Sequence, residues 1–147
     1  MTVPKKVEDL LQYMQIPINI EWLILRLWFT ILYKELPKHC HGLVSKSNGR
    51  ISIIVNNKIS LQEKRIALWH ELKHILYNEI HEHSHTNDPQ DIIEQEADAF
   101  SRDILIPESI LRRYWFWYHT RNTRHLSSIF LVPEQHISLK IKELWFR

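Results

Sequence analysis

The feature that most constrains this fold is a His-Glu-x-x-His pattern at residues 70–74, inside an apolar run over residues 66–77. The apolar side chains of this run recur at helical spacing, which predicts a helix with one face toward the core. Ser60 and Glu63 precede the run at the spacing of a capping box, so the helix is expected to begin there. Because the two histidines are four residues apart, they project from one face of that helix.

Two imidazoles at this spacing are typical of a site for one Zn²⁺ ion, with bonds of about 2.0–2.1 Å. Glu71 follows the first histidine, and a carboxylate there can accept a proton from a water molecule beside the metal. His70 and His74 are therefore candidate zinc ligands, and Glu71 is the candidate general base for hydrolysis of an amide bond. An oxyanion donor is also expected, with Tyr77 and Asn56 as unranked candidates. The alternative is that His70 and His74 are ordinary surface or core histidines, because some chains with ten histidines match the pattern by chance.

A second match to the pattern lies at residues 81–85. Ser, Thr, Asn, Asp and Pro surround it, and these residues favour loops over helices. No apolar stripe is present to hold a helix against a core. We interpret residues 81–85 as a solvated loop rather than as a second metal site.

A second amphipathic helix is predicted between Asp91 and Pro107, because apolar residues recur there at helical spacing. Asp88 suits the N-cap of this helix, and Pro89 suits its first turn. A catalytic zinc keeps three protein ligands and one open position. Glu94, on this helix, is the candidate that completes a His-His-Glu site.

Two more acids of the same helix bear on that choice. Asp98 lies four residues after Glu94 and shares its face, so it can accept the second ring N–H of a ligand histidine and fix its tautomer. Glu96 is the competing third ligand, but it points away from the face of Glu94, so the two cannot serve together. We favour Glu94 because it alone has an acid one turn behind it. The alternative is that these acids form a solvated face.

Three segments, taken in order, resemble the ImmA/IrrE family of zinc-dependent metallopeptidases. They are an apolar strand that ends in Asn (residues 51–57), the histidine-bearing helix (residues 65–76) and a Glu-x-Glu-Ala-x-x-Phe element that runs to a proline (residues 94–107). The composite covers roughly residues 50–107 and is more specific than either half. Lys73 is a departure, because the family usually has glycine before the second histidine.

The resemblance implies particular roles for four residues. By similarity to the family, His70 and His74 are zinc ligands and Glu71 is the general base. Glu94 is the third ligand, as in the gluzincin arrangement. None of these residue types is missing, so nothing in the sequence indicates an inactive member.

The resemblance also implies a partner. Family members typically cleave a helix-turn-helix transcriptional repressor, often one encoded beside them in a prophage, mobile element or stress operon, and cleavage relieves repression. The tail, residues 126–144, is similar to the helix-turn-helix-like segment that follows the peptidase core in this family, and its partner is left open between DNA, protein and the core. The alternative function is a non-proteolytic, zinc-containing protein that sequesters a repressor or acts in a toxin–antitoxin pair.

These observations predict an α+β fold, namely a helix-rich, zincin-like single domain over residues 1–147, with a core at about 40–107 and a C-terminal helical segment at about 108–147. A small antiparallel sheet is expected, because Asn48-Gly49 is a type I′ turn signal between two β-prone runs. The second run, residues 51–56, is a candidate ledge for an extended substrate, with support of the core as the alternative.

Three further segments are less specific. Residues 7–14 have the spacing of a short amphipathic helix. Residues 22–33 are strongly apolar, but this window is too short and contains Arg26, so a buried helix is expected rather than a membrane span. Residues 112–124 mix arginines with aromatics, a combination that can bind nucleic acid. The favoured interpretation of this last segment is an amphipathic helix with buried aromatics.

Charge and cysteine usage limit the function classes. A net charge of +2 is too small to demand nucleic acid or an anionic membrane as a partner. The single cysteine, Cys40, excludes an internal disulfide framework and suits a reducing cytoplasm. No signal peptide is expected, because the N-terminus lacks an apolar core followed by a small-residue cleavage site. The sequence therefore predicts a cytoplasmic protein without a membrane partner.

Overall fold

The computed structural model describes residues 4–12, 15–79 and 92–145 of the 147-residue chain. The predicted loop at residues 81–85 and the capping residues Asp88 and Pro89 lie outside these ranges. Within them the helices are α1 (Lys5–Leu11), α2 (Ile20–Arg26), α3 (Leu61–Leu76), α4 (Ile92–Leu105), α5 (Glu108–Arg112), α6 (Thr123–Phe130) and α7 (Glu134–Trp145), with a π-helical turn at Arg113–Trp117. The strands are β1 (Thr30–Lys34), β2 (Gly42–Ser47) and β3 (Arg50–Asn56). The predicted helix-rich α+β class is confirmed.

The strands form one mixed sheet in the order β1-β3-β2. Strand β2 pairs antiparallel with β3 through the predicted hairpin, in which Asn48 and Gly49 take the positive φ angles that a type I′ turn requires. Strand β1 pairs parallel with β3, so the sheet is not purely antiparallel as expected. Because β3 has a neighbour on each side, the hypothesis that residues 51–56 offer a free edge to substrate is wrong.

The apolar window at residues 22–33 divides into a helix and a strand instead of forming one buried helix. Helix α2 ends at Arg26, and Trp28 then adopts a left-handed φ of 67° before β1 begins at Thr30. The residues that follow, from Thr30 onward, are β-prone and pair with β3. Only one face of α2 is buried, since Trp22 and Leu25 of this helix are exposed. The sequence could not show this division because both halves are equally apolar.

Helix α3 begins at the predicted capping box. Ser60 accepts a hydrogen bond from the backbone N–H of Glu63, and the Glu63 carboxylate accepts one from the backbone N–H of Ser60. The helix lies against the sheet and against α4, where the fully buried Trp69 meets Phe100 edge-on at 5.9 Å between ring centroids. This packing fixes the position of the two histidines on α3.

The C-terminal helices α6 and α7 flank a tight turn, as predicted for the tail. Leu131 ends α6 with a left-handed φ of 51°, and Pro133 directly precedes α7. Two ion pairs hold α7 on α4: Lys140 with Asp103 at 2.6 Å and Arg102 with Glu143 at 2.8 Å. Helix α7 is therefore part of the framework around α4.

The aromatic segment at residues 112–124 differs from its prediction. Its residues 113–117 form a π-helical turn, and Phe116, Trp117 and Tyr118 are exposed by 50%, 81% and 63%. A wider helical turn rotates side chains away from the face that an α-helix would bury.

Across the described ranges, no helix has both the length and the apolar character needed to cross a bilayer.

Candidate metal centre

The two histidines of α3 and one glutamate of α4 converge at a single point. The Nε2 atom of His70 lies 2.6 Å from one Glu94 carboxylate oxygen, and Nε2 of His74 lies 3.2 Å from the other. The ligand atoms of the three residues all lie within 4.8 Å of one another. The packing of α3 on α4 thus brings the two histidines of α3 together with Glu94 of the next helix.

The far side of each imidazole is held by a second carboxylate. Nδ1 of His70 donates to Asp98 at 2.8 Å, as the spacing of the acids on α4 predicted. Nδ1 of His74 donates to Glu79 at 2.9 Å, a contact that the sequence analysis missed. When Nδ1 carries the proton, the Nε2 lone pair of each ring points toward Glu94 and is available to a metal.

Lys73 completes this arrangement on the His74 side. Its side chain is 1% exposed, and its ammonium group forms an ion pair with the Glu79 carboxylate. The same ammonium lies 5.2 Å from the centroid of the Tyr77 ring. Glu79 therefore links the buried ammonium group of Lys73 to the imidazole of His74. This series of contacts needs a lysine at position 73, where the family usually has glycine.

Glu96, the competing third ligand, faces elsewhere. Its carboxylate lies 3.6 Å from the Lys73 ammonium, and its side chain is 50% exposed. Glu94 is 17% exposed and lies between the two imidazoles. The geometry therefore agrees with the choice of Glu94 over Glu96, while the role of Glu94 as a ligand stays a prediction.

Glu71 lies in a confined space beside the histidines. It is 2% exposed, and the backbone of β2 passes close to it at Gly42. A Cβ atom at Gly42 would stand 3.3 Å from Cγ of Glu71 and 3.2 Å from the backbone oxygen of Ile54. Glycine at this position therefore lets the edge strand approach the carboxyl group closely.

The charges of these groups interact strongly. Burial raises the pKa of Glu71 to about 7. Burial lowers the pKa of His70, but hydrogen bonds to Asp98 and Glu94 outweigh it and raise that pKa to about 10. For Glu94, burial acts upward, and hydrogen bonds from His70 and His74 lower the pKa overall. A cation placed between the imidazoles competes with the proton for the same atoms.

The donor set fits a divalent metal ion. Ligand atoms of a tetrahedral site with bonds of about 2.0–2.1 Å stand roughly 3.4 Å apart. The distance from His74 to Glu94, 3.2 Å, is close to this value, and the distance from His70 to Glu94, 2.6 Å, is that of a direct hydrogen bond. Two imidazole nitrogens and one carboxylate oxygen also leave one position of such a site open to a substrate or water. His70, His74 and Glu94 are the residues that would hold the ion.

The two oxyanion candidates differ in their surroundings. The side-chain amide of Asn56 donates to the backbone oxygens of Leu36 and Cys40, and its oxygen accepts from the backbone of Lys58. Asn56 thus fixes the connection between β1 and β2, and its amide group already donates to two backbone oxygens of the chain. Tyr77 directly follows α3 and stays a candidate.

Fold and site together define a protein of metallopeptidase type, with a histidine-bearing helix that packs on a glutamate-bearing helix. A family model described as the IrrE N-terminal-like domain, Peptidase_M78, matches residues 28–142, and the chain belongs to this family. The match confirms the resemblance seen in residues 50–107 and extends it into α7. A search of curated protein sequences finds no match.

Proposed function

We propose that the protein is a zinc-dependent endopeptidase with Zn²⁺ held by His70, His74 and Glu94. The observation that carries the proposal is the convergence of these three side chains within 4.8 Å beside the buried carboxyl group of Glu71. Zinc suits a set of two imidazoles and one carboxylate and, when bound, supplies Lewis acidity and a lowered water pKa. The other contributions come from the chain itself.

Glu71 serves as the general base and then as the general acid. Its carboxylate accepts a proton from the attacking water and passes it to the leaving amine. A pKa raised by burial suits a group that must both accept and release a proton near neutral pH. Asp98 and Glu79 keep the two imidazoles oriented during this transfer.

Strand β2 is the proposed platform for the substrate backbone. Among the described strands it pairs only with β3, and we propose that an extended peptide binds along its other edge. Gly42 at the start of this strand lies next to Glu71. A peptide added to β2 therefore passes the general base, and this role moves from residues 51–56 to residues 42–47.

The proposed substrate is a helix-turn-helix transcriptional repressor, as the family resemblance implies. The test incubates the zinc-loaded protein with a small repressor encoded beside its gene and follows the products by mass spectrometry. Wild type should cleave at a defined peptide bond, and Glu71→Gln should lose at least about 100-fold in rate while it keeps its metal. Glu96→Gln is the matched control and should cleave like wild type.

Each other outcome has a distinct meaning. Equal cleavage by wild type and Glu71→Gln contradicts the role of Glu71 as the general base. Binding of the repressor by both variants without cleavage by either favours the non-proteolytic, sequestering function. Metal analysis of the same samples checks that the site is loaded.

A further inference from the structure

A cleft of about 730 Å³ adjoins the metal centre on the side of α7. One of its walls is Asp98, whose carboxylate holds Nδ1 of His70 at 2.8 Å, so the cleft begins at the outer side of the His70 ring. The facing wall is formed by α7. From the sequence, this helix could bind DNA, bind protein or only pack on the core. The volume suits a ligand of several residues of peptide.

Two buried nitrogen atoms, each on a residue that lines this cleft, have no hydrogen-bond partner within the described part of the chain. They are Nδ1 of His136, a residue only 8% exposed, and Nε of Arg102, whose side chain is 12% exposed. Arg102 donates from Nη2 to Glu143, which leaves Nε directed elsewhere. Buried polar atoms are nearly always paired, so two such atoms lining one cleft point to a ligand that supplies acceptors.

The charge and shape of the cleft indicate which acceptors. Arg102 and Lys142 contribute two positive charges to the lining. Two acids lie nearby, and each has a partner: Asp98 is engaged with His70, and Glu143 is paired with Arg102. Burial and the nearby Arg102 charge lower the pKa of His136, which favours the neutral ring, and a neutral imidazole has one N–H to donate. The apolar side chain of Leu139 lies on the same wall.

We propose that this cleft binds an acidic residue of the peptide substrate, close to the bond that is cleaved. Its carboxylate accepts hydrogen bonds from Nε of Arg102 and Nδ1 of His136, its aliphatic stem packs on Leu139, and Lys142 adds long-range attraction. The inference deepens the proposed peptidase function and rests on it. It assigns to α7 a part in the choice of substrate.

The experiment separates binding from cleavage. Zinc-loaded Glu71→Gln protein is exposed to positional-scanning pools of decapeptides, and the bound fraction is measured for each residue at each position. One position should favour Asp or Glu over Asn and Gln by roughly tenfold, because hydrogen bonds to a charged group exceed those to an amide. Adding His136→Phe should abolish this preference, and adding Lys142→Ala should reduce it.

Lys142 is exposed, so its replacement keeps the test valid if His136→Phe does not fold. Lys58→Ala, which removes an exposed lysine outside the cleft, is the matched control and should leave the preference unchanged. Failure of every pool to bind, equal binding of acidic and amide pools, or an acidic preference that survives both cleft variants overturns the proposal. The last result would place the acid on the metal itself.

Failure of the peptidase function gives a different result. Wild-type protein is incubated with the peptides that the Glu71→Gln protein selects. Peptides that bind through the cleft but are never cut contradict the proposed hydrolysis and leave the cleft assignment intact. Peptides that are cut without any acidic selection contradict the cleft assignment alone.

Discussion

The two sides of the metal centre hold equivalent histidines in different ways. On one side, His70 is bound by Asp98, which comes from another helix and is 49% exposed. On the other side, His74 is bound by Glu79, which lies five residues further along the chain, is 13% exposed and is paired with a buried lysine. The first contact is open to water. The second is mostly enclosed, and its carboxylate also forms an ion pair with Lys73.

This difference teaches that the two outer carboxylates are not equivalent in function. Water can replace an exposed hydrogen-bond acceptor at little cost. A buried acceptor has no such substitute, and its removal leaves the donor unsatisfied. We therefore expect the geometry of the centre to depend more on Glu79 than on Asp98.

The largest effect is expected where the two sides meet, at Glu94. Glu94→Ala removes the carboxylate that lies between both imidazoles, so zinc affinity should fall by more than the roughly 10–100-fold typical of an outer-shell change. Competition with a chromophoric chelator measures the affinity. Glu108→Ala, which changes an acid on α5 outside the proposed ligand set, is the control. Unchanged zinc affinity in Glu94→Ala would show that Glu94 is not a ligand. The two histidine sides would then not share the proposed third ligand.

The second effect compares the two sides directly. Glu79→Ala should weaken zinc binding by roughly 10–100-fold, and Asp98→Ala should weaken it less, because water reaches the exposed position. Glu79→Gln should recover part of the affinity, since its amide oxygen still accepts the Nδ1 proton. The same chelator assay ranks the variants, with circular dichroism to verify folding. Equal losses for Glu79→Ala and Asp98→Ala contradict the inequality.

The third effect concerns the lysine behind Glu79. Lys73→Met should reduce zinc affinity less than Glu79→Ala does, because the carboxylate that contacts His74 remains. It should lower the free energy of unfolding by about 3 kcal/mol, because Glu79 loses its partner in a mostly buried position. Urea denaturation of the metal-free protein measures this change. Adding Glu79→Gln to Lys73→Met should restore part of the stability, and a further loss in the double variant would show that Lys73 acts through packing alone.

The features of the metal centre that follow from helix geometry alone could be predicted from the sequence. The spacing of His70 and His74, and of Glu94 and Asp98, sets which side chains share a face, whatever the rest of the chain does. The capping box at Ser60 and the Asn48-Gly49 turn are equally local, and both are present as predicted. Local rules were therefore sufficient to show which of these side chains share a face and where α3 begins, while the ligand set itself stays a prediction.

The other side depends on packing that no local rule describes. Glu79 follows the end of α3, and its contact with His74 requires the chain to turn back, with Asn78 at a positive φ of 55°. A lysine beside a histidine is normally solvated, and the burial of Lys73 depends on its ion pair with Glu79, which sequence spacing does not predict. The parallel pairing of β1 likewise depends on a tertiary contact, so the open edge of the sheet was assigned to the wrong strand.

The smallest effect is expected at Glu96, the acid that competed with Glu94 for the metal. Its side chain is 50% exposed, and its contact with Lys73 is 3.6 Å, longer than that of Glu79. Glu96→Ala should therefore leave zinc affinity unchanged and alter the free energy of unfolding by less than about 1 kcal/mol, as exposed ion pairs usually do. Because Lys73 keeps Glu79, the His74 side remains intact. A loss of metal comparable to that of Glu94→Ala would exchange the roles of the two glutamates, and Lys73 would then neutralise a ligand instead of an outer carboxylate.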